Sequence, residues 1–130
     1  METGRLRAIS LFADLSDAEL TTVAAAAREI DLPAGETLTA EGAFGHALFA
    51  VEEGTAEVLT EGVVVGTVRP GDVVGEIAVV ASGRRTATVV ATSPMRLIAL
   101  FKRDVWALER SVPEIAARLQ ELRAKHLNSA

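Results

Sequence analysis

A chain of 130 residues, 49% of them hydrophobic, is long enough to bury one core without staples. The absence of cysteine excludes a disulfide framework and a thiolate metal site, and a formal charge of −5 argues against a general nucleic-acid surface. No apolar run nears the roughly 18 residues of a membrane span, and the opening M-E-T-G-R-L-R lacks a secretory signal's apolar stretch. These features lead us to expect one cytoplasmic domain over residues 1–130, or a module on the cytosolic face of a larger membrane protein.

Along the chain, Leu6, Ile9, Leu11, Phe12 and Leu15 predict a short helix or turn packed on the body. Ser16 and Glu19 read as a capping box, followed at helical spacing by Leu20, Val23, Ala24 and Ala27. The N-terminal helical segment is therefore placed at 1–28. Pro33 and Gly35 then change the texture. Glycines recur at intervals near ten residues, and short β-branched segments between them predict strands at 29–32, 36–40, 46–52, 55–60, 63–68, 86–91 and 95–101. Glu61-Gly62 is expected to turn a hairpin.

Helical texture returns after Phe101. A short helix is predicted from Arg103 to Arg110, where Trp106 reads as a packing anchor. Pro113 opens a second helix, with Ile115, Leu119, Leu122 and His126 on one face. The C-terminal helix pair spans 102–127.

The richest segment chemically is G-D-V-V-G-E-I-A-V-V-A-S-G-R-R-T-A-T-V-V-A, residues 71–91. A glycine at 75 lets backbone N–H groups approach an oxyanion, and a helical turn over 75–80 leaves unpaired donors near Glu76, Ile77 and Ala78. Arg85 supplies a bidentate fork. Glu76 adds an acceptor that a bare phosphate does not need but a sugar hydroxyl does. The plainer alternative pairs Arg85 with Glu76 or Asp72 on the surface.

Little points to catalysis. Ser10 and Ser82 have no nucleophile-elbow context; the short strands suggest an all-β sandwich or roll, and two histidines without cysteine are too few for a cupin-type metal site on such a roll. His46 reads as a strand-edge residue. With four Phe, one Trp and no Tyr, a base-stacking nucleic-acid platform is not expected.

Taken as an ordered set, Gly75, Glu76, Ala78, Arg85, Ala87 and Val89 resemble the phosphate-binding cassette of cyclic nucleotide-binding domains, here 71–89. Such domains occur in catabolite-activator-type regulators, kinase regulatory subunits and nucleotide-gated channels. The resemblance implies a mainly β fold with flanking α-helices. Its centre is an eight-stranded antiparallel, jelly-roll-like β-roll over 29–101, with an N-terminal helical segment, a short cassette helix and two C-terminal helices.

It also implies a non-enzymatic sensor of a cyclic purine nucleotide, cAMP before cGMP, with no other cofactor and no metal. In that implied site Arg85 and the amides of Ile77 and Ala78 hold the phosphate, and Glu76 takes the ribose 2′-hydroxyl. Thr86 bonds phosphate or a guanine edge, and Val74, Val65 and Val89 wall the ribose and purine. The chain departs from the family in having no Tyr or Trp in its last helix, which leaves Arg123 or His126 as the candidate lid. The expected partners are the nucleotide and an effector domain or a second copy through the C-terminal helix, with neither nucleic acid nor direct membrane insertion. The rival reading is a module of the same fold used only for protein–protein contact or dimerisation.

Overall fold

Two short 3-10 helices, Thr3–Ala8 and Ser10–Phe12, open the chain and bury Leu6, Ile9, Leu11 and Phe12. The computed structural model describes residues 2–43, 45–75, 85 and 87–129, with side chains of the final helix described through residue 122 and at 124. Helix α1, Asp17–Ala26, begins where the capping box predicts. The Glu19 amide donates to Ser16 Oγ at 3.2 Å, and the Ser16 amide donates to the Glu19 carboxylate at 2.9 Å. Leu20 and Val23 form its buried stripe.

Eight strands follow: β1 Arg28–Leu32, β2 Thr37–Thr39, β3 Ala47–Glu53, β4 Ala56–Thr60, β5 Val63–Val68, β6 Val73–Val74, β7 Thr88–Ala91 and β8 Met95–Phe101. They form two four-stranded antiparallel sheets, ordered β1-β8-β3-β6 and β2-β7-β4-β5. This is the expected roll. Seven strands fall within two residues of their predicted bounds. The eighth, β6, has only two residues and was absent from the strand reading. The β4–β5 hairpin turns at Glu61 and Gly62, both with positive φ (51° and 78°), as a two-residue turn of the favoured twist requires.

Strands β3, β6 and β8 of the first sheet are covered on both faces. Leu48, Ala50, Val73, Ile98 and Leu100 join one core with the N-terminal helices, α1 and the C-terminal helices. Val51, Val74, Leu97 and Met95 enter a second core inside the roll, with Ala56, Val68, Val89 and Ala91. Successive strand residues point to opposite faces, so β3 and β6 each contribute to both cores.

Helices α2, Lys102–Ser111, and α3, Pro113–Ser129, close the first core with Val105, Leu108, Val112, Ile115 and Leu119. Trp106 corrects its sequence reading. It is 48% exposed, with Lys102 Nζ lying 5.2 Å from its ring centroid. At 100° per residue it points away from the stripe of Val105 and Leu108, and those two anchor the helix. Among the described residues, no helix is long and apolar enough to cross a membrane.

Candidate functional site

The site is built where β6 ends. Val74 pairs directly across from Phe49 of β3, and the chain then breaks from the sheet at Gly75, whose φ is +88°. Two constraints demand glycine here. The left-handed backbone disfavours any Cβ, and a Cβ would overlap the Arg85 guanidinium while lying 3.1 Å from the Ala47 carbonyl oxygen.

Arg85 is half-buried beside this turn. Its Nη1 donates to the Gly75 carbonyl at 3.4 Å, and its Cζ lies 5.5 Å from the Phe49 ring centroid, within cation–π range. Burial pushes the guanidinium below its ordinary pKa, because desolvation disfavours the charged form. No carboxylate among the described residues pairs with it. Asp72, offered by the plainer alternative, is engaged elsewhere: its Oδ2 accepts the Arg69 amide at 2.9 Å. Among the described residues the Arg85 guanidinium makes one long hydrogen bond and one aromatic contact, and its fork of five N–H donors suits an oxyanion.

The backbone of Arg85 is held firmly. Its amide donates to the Ala43 carbonyl at 2.7 Å, and the Gly42 amide donates to the Arg85 carbonyl at 2.9 Å. Thr39 Oγ1, nearly buried, donates to the Ala87 carbonyl at 3.1 Å. The β2–β3 loop therefore grips the approach to β7 from the side.

Of the candidate wall residues, Val74 and Val89 are both buried in the roll's core. Val65 lies apart from them. It is the extra residue of a β-bulge opposite Val58 and Leu59, and it is 61% exposed. Glu76, Ile77, Ala78 and Thr86 lie outside the described residues, as do the side chains of Arg123 and His126. Phe49 and the Gly42–Ala43 grip were not foreseen. An aromatic inside β3, in a chain so poor in aromatics, was the available signal for Phe49.

The family model for the cyclic nucleotide-binding domain matches residues 29–111, which takes in the roll, the site and α2. The chain belongs to the cyclic nucleotide-binding domain family. A cyclic nucleotide-gated potassium channel of Mesorhizobium japonicum is 36% identical over 109 residues, covering 84% of this chain and 30% of the channel. The cyclic AMP receptor protein of Thermus thermophilus is 31% identical over 103 residues, covering 75% of this chain and 48% of the receptor. The regulatory domain of Toxoplasma gondii PKA, solved with cAMP, superposes with a TM-score of 0.73 at 34% identity, over 82% of this chain and 42% of that one. The cyclic nucleotide-binding domain thus spans less than half the length of the two curated relatives it matches here.

Proposed function

We propose that this cyclic nucleotide-binding domain is a regulatory sensor that binds cAMP, with cGMP as second ligand, and does not turn it over. The single observation that carries the reading is the half-buried Arg85 guanidinium, free of any carboxylate among the described residues and stacked on Phe49 beside Gly75. The cyclic phosphate takes this guanidinium together with the amides of Ile77 and Ala78. Glu76 accepts the ribose 2′-hydroxyl, Thr86 bonds phosphate or a guanine edge, and the valines at 74, 89 and 65 flank ribose and base. Arg123 or His126 covers the base as the C-terminal helices close.

Closure is supported by the sheet shared between the two cores, since β3 and β6 carry Phe49 and Val74 on one face and Leu48, Ala50 and Val73 on the other. The ligand must prefer the closed state by a finite amount, typically about 1–3 kcal/mol. Output then passes to an effector in the cytoplasm, on the same chain or another.

Calorimetric titration with cAMP, cGMP and 5′-AMP, repeated on Arg85→Ala, tests the reading. Saturable binding of a cyclic nucleotide is expected, weakened about ten- to a hundredfold in the variant, because a charged bidentate contact is lost. Equal binding by Arg85→Ala refutes the site, and equal binding of 5′-AMP refutes the cyclic-phosphate specificity.

A further inference from the structure

The segment that carries Arg85 into β7 is connected to a distant hairpin through one exposed carboxylate. Glu41 stands in the β2–β3 loop, next to the two residues that grip Arg85. Its carboxylate accepts the Glu61 amide at 2.9 Å, at the tip of the β4–β5 hairpin. Its own amide donates to Thr88 Oγ1 at 3.0 Å, at the start of β7. Gly42 and Ala43, immediately following, make the paired backbone bonds to Arg85. Within three residues the loop thus fastens the hairpin tip, the first residue of β7 and the arginine's backbone.

We propose that Glu41 is a positioning residue for Arg85: by bridging the hairpin tip to the β2–β3 loop, it fixes the loop that sets where the guanidinium stands. The inference rests on the reading of Arg85 as the anion-binding group, but its mechanical part does not require a ligand. Among the described residues, Glu41 bonds the Glu61 amide and Thr88 and not the guanidinium, so its effect must pass through the backbone. The Glu61 backbone is left-handed, which aims its amide toward the loop without a glycine at that position. An exposed residue with a backbone-directed carboxylate is a poor candidate for global stability, because its bond lies in water at a loop.

The test compares the full chain with Glu41→Ala and Glu41→Gln. Glutamine keeps an acceptor oxygen for the Glu61 amide while removing the charge. Three readouts are needed: cAMP affinity, melting midpoint, and hydrogen exchange at the Arg85 and Glu61 amides. We expect Glu41→Ala to weaken cAMP about three- to tenfold and to speed exchange at both amides, with the melting midpoint nearly unchanged. Glu41→Gln is expected to restore affinity to within about twofold, along with the slow exchange. The proposal is overturned if Glu41→Ala leaves affinity and Arg85 exchange as they were, or if Glu41→Gln behaves like alanine, since the role would then be charge rather than position. If the unaltered chain binds no cyclic nucleotide, the sensor reading falls, and Arg85 exchange alone still decides the positioning role.

Discussion

At the scale of single residues, the chain separates its arginines by whether a carboxylate answers them. Arg5 is the opposite of Arg85. Its Nε and Nη2 donate to the Glu52 carboxylate at 2.5 and 2.6 Å, and Nη2 also meets Glu29, so the first 3-10 helix is fastened to β1 and β3. The hydrogen bonds from Arg5 hold the Glu52 carboxyl below the usual glutamate range, against the opposing effect of burial. Glu52 and Glu29 in turn raise Arg5 beyond any accessible pH, so Arg5 adds no titration of its own.

A carboxyl with a depressed folded-state pKa contributes stability above its unfolded value and loses that contribution as pH falls through the folded one. We therefore expect unfolding free energy to drop as pH falls below the ordinary glutamate range, and Arg5→Met to flatten that drop. Parallel pH profiles for the two proteins would remove the Arg5–Glu52 pair from the account. Arg85 was legible as a candidate in the sequence because an arginine ten residues after a glycine, with a predicted helical turn between, is a compact local pattern. Phe49 and the Gly42–Ala43 grip were not, since each meets Arg85 only through tertiary contact between segments far apart in sequence.

At the scale of elements, the turn between β3 and β4 closes against the backbone of the β7–β8 connection. Gly54 has φ +91°, and a Cβ there would collide with the Pro94 carbonyl and lie 2.8 Å from Met95 Cα. Backbone sits on the other side of the contact, so no side chain can swing away. Gly54→Ala is expected to cost about 2–4 kcal/mol in urea unfolding, from left-handed strain plus overpacking. A loss below about 1 kcal/mol would mean that the turn relocates. Glycine spacing made most strands readable for a related reason: the turns at Gly35, Gly54, Gly62 and Gly71 are left-handed, a conformation glycine adopts most readily. Strand β6 escaped because two valines have no period to detect. Trp106 was misread because large aromatic residues are usually buried, whereas here helix geometry gives the inward positions to Val105 and Leu108.

At the scale of the whole molecule, one sheet serves as the partition between two cores. Helices pack on one side of β3, β6 and β8, and the second sheet packs on the other. Neither core can come apart without stripping a face from the same three strands. A single cooperative unfolding transition is the expected result, with no stage at which the helical layer has melted and the roll persists. Two probes check it: far-ultraviolet dichroism, dominated by the backbone, and a signal from the helical layer alone. Separated midpoints would show that the partition does not couple the layers.

The second signal is already built in. The sequence holds a single tryptophan and no tyrosine, and that tryptophan lies on the outer side of α2 under the ammonium of Lys102. Nearly all ultraviolet emission of the protein therefore originates from one ring on the helix that follows the roll. Its wavelength and intensity depend on water and on a cation a few ångströms away. Any shift of α2 on nucleotide addition becomes a colour change readable without a label, and an emission spectrum that stays fixed at saturation would show that the helix keeps its place.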